Sequence, residues 1–424
     1  MNEAFLQYVW RHRMLQGREF TSTDGRALRI VRPGELNNDA GPDFFNARVD
    51  IDGVEWVGNI EVHVFTSDWN THRHSQDKAY NNIVLHVVYE HDTEIVLQNG
   101  KRPVTLELKP YIAPDLIERY DSLARAKEEI ACAERVGEIP RFKVEGWLDR
   151  IVVERIEAKS EVVRRLLDES HGGWEQTCYW LMARYFGGRV NALAFELLAK
   201  ATDQRLLARW KDNPKRLEAL LMGQAGLLEG YFEDYYPRQL QADYESLRAG
   251  AGLQPIDGYL WKFYRVRPSG FPTIRISQFA SLVACSSNLF ATLLDMTDAE
   301  QIAALFNQPA AEYWTSHYRF DQPSSSHPKT VGRMQAETLV INAWVPLLFV
   351  YGVVHGQQQY KEQALDLLQQ LSPENNNIIR RWKAAGINAD NAAQSQALLQ
   401  LHNNYCQCHR CLECQIGFDL IKRG

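Results

Sequence analysis

The residues able to do chemistry fall into three groups. In the first, Pro42-Asp43 opens one strand-like run and Glu61-Val62-His63 lies on the next, with Asp52-Gly53 between them as a two-residue hairpin turn. Asp43 and Glu61 stand nine residues either side of Asp52, so a hairpin centred there brings their carboxylates side by side. Alternate side chains of a strand share a face; Glu61 and His63 therefore point one way, Val62 and Val64 the other. Two carboxylates about 4 Å apart repel by roughly 4 kcal/mol at an effective dielectric of 20, and a divalent cation turns that repulsion into binding. The bland alternative is an Asp43 that caps a turn and a Glu61 that faces solvent.

The segment that follows carries His72 and His74 between Asp68 and Asp77, which with His63 and His86 makes four histidines in 24 positions. That density suits the lining of an active site in contact with nucleic acid. It also suits a zinc-type hydrolase, because imidazole and carboxylate are ordinary zinc ligands, although no His-Glu-x-x-His helix accompanies them. His86 lies within the apolar run 83–89 and reads as a satisfied buried histidine.

The second group is the C-terminal cysteines. Cys411-x-x-Cys414 forms a knuckle that offers two thiolates to one ion, and Cys406, Cys408, His402 or His409 completes a set of four. Zinc is the first expectation and an iron–sulfur cluster the alternative; free buried thiols are the bland one. Four protein ligands leave no open position, which points to structure rather than catalysis. Cys132, Cys178 and Cys285 stand singly among apolar neighbours. In the third group Lys262, Arg265, Arg267 and Arg275 interleave with Trp261, Phe263, Tyr264, Phe271 and Phe279, with no acid between residues 260 and 281. Arginine beside aromatic rings suits phosphate contact and base stacking, and equally a core helix with snorkelling arginines.

The elements that must position these groups change texture along the chain. Phe5, Tyr8, Val9, Trp10 and Leu15 follow helical spacing. Strands are predicted over 28–31, 46–51, 54–64, 83–89 and 104–108, with a short helix over 75–80. From about residue 143 the pattern is helical, over 144–167, 173–185, 190–210, 216–231 and 362–371. Residues 321–328, polar and flanked by prolines, read as a joining or mobile loop. The fold class expected is α+β: an N-terminal α/β sandwich over 1–125, a large all-helical domain over 126–400, and a Cys-rich metal-binding tail over 401–424 packed on the helical domain.

The totals exclude several classes. The chain has 424 residues, 45% of them hydrophobic, and a formal net charge of -6, so any nucleic-acid contact needs a local basic surface. The opening residues lack a secretory pattern, and the apolar runs fall short of the roughly 20 residues a membrane helix needs. A cytoplasmic protein without a membrane contact is expected, and clustered thiols there indicate metal rather than disulfides.

Pro42-Asp43 and Glu61-Val62-His63, set in a helix, three strands, helix, strand order, resemble the PD-(D/E)xK nuclease superfamily. The resemblance implies that Asp43 and Glu61 ligate magnesium or manganese together with the Val62 carbonyl. It implies further that His63 stands where the family has lysine and that Glu35 is an upstream acid. Iron–sulfur clusters accompany some members of that superfamily. The stretches GELNNDAGPDF, GNIEVHVFTSDWNTHRH, YNNIVLHVV, RPSGFPTIRISQFA and CHRCLECQIG resemble a second, bacterial family, domain-of-unknown-function family 2851. That likeness extends along nearly the whole chain and favours Cys406, Cys411 and Cys414 over Cys408. The bacterial family supplies no activity; the nuclease resemblance implies hydrolysis of phosphodiesters in DNA or RNA with Asp43, Glu61, His63 and Glu35 catalytic, and Lys262, Arg265, Arg267, Arg275, His72 and His74 are the residues expected in contact with nucleic acid. The alternatives are a catalytically degenerate scaffold that binds nucleic acid or protein, and a zinc-dependent hydrolase of a small molecule.

Overall fold

The opening helix α1 (Glu3–Arg11) starts where the Asn2 side chain accepts the Phe5 N–H and buries Phe5, Leu6, Tyr8, Val9 and Trp10, the face that its apolar spacing requires. The computed structural model describes residues 1–286 and 288–423. After α1 come β1 (Phe20–Thr21), β2 (Ala27–Arg32), β3 (Glu35–Leu36), β4 (Phe44–Ile51), β5 (Val54–Phe65), α2 (Asp68–Thr71), β6 (Ile83–Glu90), β7 (Thr105–Glu107) and α3 (Pro114–Ala124). They build one mixed sheet of order β1-β2-β4-β5-β6-β7, with β3 paired to β4.

Two local features set the register. The β4–β5 hairpin closes through Asp52 and Gly53, both at positive φ (53° and 81°), the turn whose twist matches its strands. Pairing then runs from Ile51↔Val54 to Ala47↔Gly58 and slips by one residue to Phe44↔Ile60. Asn46, at φ 54°, occupies that bulge. On the other side β6 runs parallel to β5, with Glu61 opposite His86.

A parallel pair needs a crossover, and here it is made of short turns rather than the single helix predicted over 75–80. α2 is followed by 3-10 turns at His74–Gln76 and Lys78–Asn82. Asp77 between them is extended, and its carboxylate accepts the Ala79 N–H, which restarts the chain and prevents one continuous helix. Trp69, Tyr80, Ile83, Ile95 and Leu97 pack beneath the crossover as a buried cluster.

The chain divides into two units. The first holds Met1–Trp147, Ala384–Ile387 and Leu401–Gly424; the second holds Leu148–Lys383 and Asn388–Gln400. The tail therefore belongs with the N-terminal sheet, and not with the helical domain as the sequence reading had it. The cause lies in the terminal helix Gln415–Lys422, which buries Ile416, Leu420 and Ile421. It accepts a hydrogen bond at the Ile421 carbonyl from the Arg119 side chain (2.8 Å) and sets Phe418 against His12 and Tyr8 of the α1 end.

The second unit is mainly helical, including α4 (Arg141–Glu169, which crosses the boundary), α5 (Trp174–Phe186) and α6 (Gly188–Lys200). The helix predicted over 190–210 is two, because Asp203 caps a new one at Gln204–Trp210. The one predicted over 216–231 ends as Pro214–Gln224, before Gly226 at φ 66°. The unit is not wholly helical: His317–Arg319 pairs with Gln322–Pro323. The Asp321 carboxylate at that turn accepts the Glu233 and Asp234 N–H groups (3.0 and 2.9 Å), so this end of the predicted mobile loop is pinned. The continuous helix Arg333–Val354 is long and apolar enough to span a membrane by length and composition, and 67% of its apolar window is buried inside the protein.

Candidate metal centre

The bulge at Asn46 sets Asp43 against Glu61. The Asp43 N–H donates to Glu61 Oε2 (3.1 Å), and the Val62 N–H donates to Asp43 Oδ2 (2.9 Å). Gln7 from α1 donates its amide to Asp43 Oδ1 (2.9 Å). Burial first, and the neighbouring Glu61 charge second, push the Asp43 carboxyl up to about 7, against the opposing pull of the Val62 and Gln7 donors. Around neutral pH and without a cation, Asp43 is close to half protonated.

Four histidines surround this acid pair. His63, next on the same face of β5 as Glu61, is 1% exposed. Its Nδ1 lies 2.9 Å from His86 Nε2, and its Nε2 lies 3.2 Å from His72 Nδ1 and 3.5 Å from Glu61 Oε1. His72 follows α2, exposed at the mouth. Arg73, at φ 60°, turns the chain so that His74 goes inward, stacked on Tyr80 at 3.9 Å. His74 Nε2 comes within 3.1 Å of Glu61 Oε1 but makes no hydrogen bond. Ligand nitrogens of His63, His72 and His74 all lie within 4.8 Å of one another.

Burial, followed by the neighbouring imidazoles, holds His63 down to about 2, and the same forces hold His86 down to about 3. Both rings are therefore neutral, and each carries one N–H. If His63 places its proton on Nδ1 and donates to His86 Nε2, its Nε2 lone pair faces His72, His74 and Glu61. That is the arrangement of a metal-binding imidazole oriented by an outer hydrogen bond. His74 Nε2 fits the same role: 3.1 Å from Glu61 Oε1 without a hydrogen bond, a lone pair there faces a carboxylate oxygen, and a cation between the two acceptors removes their repulsion. The donor set of three imidazoles and a carboxylate suits zinc or manganese better than magnesium, which prefers oxygen ligands.

Several residues singled out in the sequence fall elsewhere. Glu35 is exposed and ion-paired with Arg32 (2.8 Å), so the upstream acid is not brought into the cluster. Val62 contributes its N–H to Asp43. His74 is buried against Glu61, which removes it from the nucleic-acid contacts. Arg275 donates to Gln278 (3.1 Å) and is held down to about 10 by burial; it is the snorkelling or core arginine of the bland reading. Lys262, Arg265 and Arg267 are exposed beside Tyr259 and Tyr264, themselves 74% and 81% exposed. In the tail, both ring nitrogens of His402 are occupied, Nε2 by Glu129 (3.2 Å) and Nδ1 by Asn403 (3.1 Å). Cys408 is exposed and faces the Asn403 carbonyl.

Sequence reasoning missed Gln7 altogether, since a lone glutamine on a helix carries no signal. It took His86 for a bystander, although its place opposite Glu61 in a parallel register is what lets it reach His63.

The family described as protein of unknown function (DUF2851) matches residues 3–377. That span, nearly the whole chain as expected, includes the acid pair and all four histidines and stops before Cys406. Neither the curated proteins nor the solved structures gave a match.

Proposed function

The chain belongs to the DUF2851 family, and for this member we propose a metal-dependent phosphodiester hydrolase, a nuclease acting on DNA or RNA. The observation that carries the proposal is the convergence of His63, His72 and His74 on one point beside Glu61 and Asp43. The ion would be manganese or zinc, in place of the magnesium that the acid pair alone suggests. When bound it lowers the pKa of a water and stabilises negative charge developing on phosphorus oxygens.

Each protein group then has a role. Glu61 and the three imidazoles hold the ion, and His86 fixes the His63 ring. Asp43, beside Glu61 and ionised once the ion expels its proton, takes a proton from the attacking water as a carboxylate. Support for the nuclease class comes from α1, the antiparallel β2-β4-β5 meander and the parallel β6. In that order Asp43 and Glu61 take the places of the acid pair in the PD-(D/E)xK resemblance. The exposed Lys262, Arg265 and Arg267 with their tyrosines supply the proposed phosphate contacts. Seven free thiols suit a reducing compartment, and we place the protein in the cytoplasm.

The test is an assay of the full chain on single-stranded, duplex and branched substrates with magnesium, manganese or zinc. Cleavage should be strongest with manganese or zinc and vanish in Asp43→Ala and Glu61→Ala. Equal cleavage by wild type and both variants would mean a contaminant and remove the proposal. A second reading, a zinc hydrolase of a small molecule, is favoured by the number of imidazoles, which exceeds what an acid-pair nuclease needs. Zinc bound at the trio with no polynucleotide cleaved by any preparation would select it.

A further inference from the structure

A second cluster of ligand-type side chains lies in the same unit and is independent of the proposed hydrolase. Cys411 and Cys414 flank the 3-10 turn Cys411–Glu413, which closes with the Cys414 N–H on the Cys411 carbonyl (3.3 Å). Gly417 lets that turn seat on the terminal helix: a Cβ there would come 2.1 Å from the Cys411 oxygen. Cys406 ends the π-turn His402–Cys406. The His402 ring at the start of that turn bonds to Glu129, three residues before Cys132, which ties the tail to the segment after α3. Cys132 and Cys414 are 9% and 8% exposed, and Cys406 and Cys411 are half-buried.

The four sulfurs lie within reach of one another's charge. Burial pushes the Cys132 thiol up to about 12, and the charges of Cys414 and Cys411 add to it. Cys406 is raised by burial and then by Cys132, Cys414 and Cys411. The Cys414 thiol goes up to about 11 despite the Gly417 and Ile416 N–H groups directed at its sulfur. None of the four is in a disulfide. The His402–Glu129 bond sets the Cys132 segment against the tail, and the Gly417-seated turn holds Cys411 and Cys414 together beside it; a thiophilic cation would take these reduced, buried or half-buried thiols as thiolates and release their protons.

We propose that Cys132, Cys406, Cys411 and Cys414 form one four-thiolate metal centre in which Cys132 supplies the fourth ligand. His402 and Cys408 are outside it: the imidazole is spent on Glu129 and Asn403, and the Cys408 sulfur is turned to the surface. Four thiolates serve either a tetrahedral zinc ion or an iron–sulfur cluster. With every ligand from the protein, the centre is structural, and it joins two stretches of chain that are 274 residues apart around the inserted helical unit.

The experiment uses the full chain purified without oxygen, in wild-type and Glu61→Ala forms so that the histidine site does not contribute to the count. Elemental and sulfide analysis with a visible spectrum distinguishes the two occupants. One zinc per chain without colour indicates the ion, and iron with acid-labile sulfide and visible absorption indicates the cluster. Cys132→Ser and Cys414→Ser are expected to lower occupancy at least tenfold, while Cys408→Ser and His402→Asn leave it intact. Metal-free wild type, full occupancy in Cys132→Ser, or loss in Cys408→Ser overturns the assignment. Should Cys132→Ser fail to fold, alkylation of the wild type decides. Cys408 reacts at once, and Cys132 is expected to react together with Cys406, Cys411 and Cys414 only after chelation or oxidative cluster loss. Cys132 reactivity that is unchanged by that treatment overturns it equally.

Discussion

The histidine cluster and the thiol cluster share one folded unit and are assembled by opposite routes. The side chains around Glu61 come from residues 43–86, placed by strand register and one crossover, and from Glu3 and Gln7 of α1. The thiols come from both ends of the unit, Cys132 on one side and Cys406 to Cys414 on the other. A hydrogen-bonded sheet holds the first site together, whereas the second spans two distant stretches joined by side-chain bonds, His402 to Glu129 and Arg119 to the Ile421 carbonyl, and by the packing of the terminal helix. Local assembly should give a site whose loss removes chemistry and spares the fold. Distant assembly should give one whose loss removes the fold.

Stripping the thiol centre tests the second half of that contrast and should have the largest effect. Metal affinity at a closed site is folding free energy, so a chelator is expected to cost several kcal/mol of stability, read as a fall in calorimetric Tm. An unchanged Tm would reduce the cluster to four idle thiols. Next, Glu61→Ala should lower metal affinity and any hydrolysis on the order of a hundredfold or more while the Tm of the thiol-loaded protein moves little. A collapse of both together would mean that the acid is a fold element. His86→Leu sharpens the comparison within the sheet: the ligands stay, but His63 loses its orienting partner, for an expected roughly 10- to 100-fold loss of manganese or zinc affinity by titration calorimetry.

Smaller still is the effect of the bulge. Asn46 sits at φ 54°, where glycine and asparagine are tolerated and a β-branched residue is strained. Asn46→Gly should be near neutral. Asn46→Val should cost about 1–2 kcal/mol in denaturant unfolding and weaken metal binding, because removing the one-residue slip would put Asp43 opposite Val62 instead of Glu61.

The same contrast explains what could be read from the chain. The acid pair was legible because a hairpin centred on Asp52-Gly53 is a short-range signal, and counting nine residues each way reached the observed partners. The count succeeded through the bulge, since an uninterrupted two-residue hairpin would have been one residue out of register; nothing in the count revealed that. His72 and His74 stood out by density, but their inward and outward placement depends on the positive φ of Arg73, which a pattern of residue types does not encode. The predicted helix over 75–80 failed because Asp77 offered its carboxylate to Ala79 and competed with the helical ladder. Cys132 carried no local motif at all, and the tail was assigned to the wrong neighbour. Its apolar face has the same spacing whether it meets the helical unit or, as it does, α1 and α3.

The smallest effect separates the two sites by their protons. Asp43 is raised to about 7 in the folded chain from an unfolded value near 3.9, so between those values the native state binds the extra proton. This contribution to stability is fully present below the unfolded pKa and is lost as pH rises through the folded one, so for this group the metal-free protein weakens from about pH 4 to about pH 7. A cation reverses the dependence, because its binding expels that proton and its affinity grows as pH rises to 7. Gln7 opposes the upward shift through its hydrogen bond. Gln7→Ala should therefore move the midpoint of the metal-affinity profile upward by about one pH unit or less, the worth of one such bond. Titration calorimetry in two buffers of different ionisation enthalpy reads the proton released per ion at pH 7, and that number should rise toward one in the variant. A fall, or a profile that stays in place, would mean that Asp43 does not feel the ion and that the histidines bind it without the acid pair.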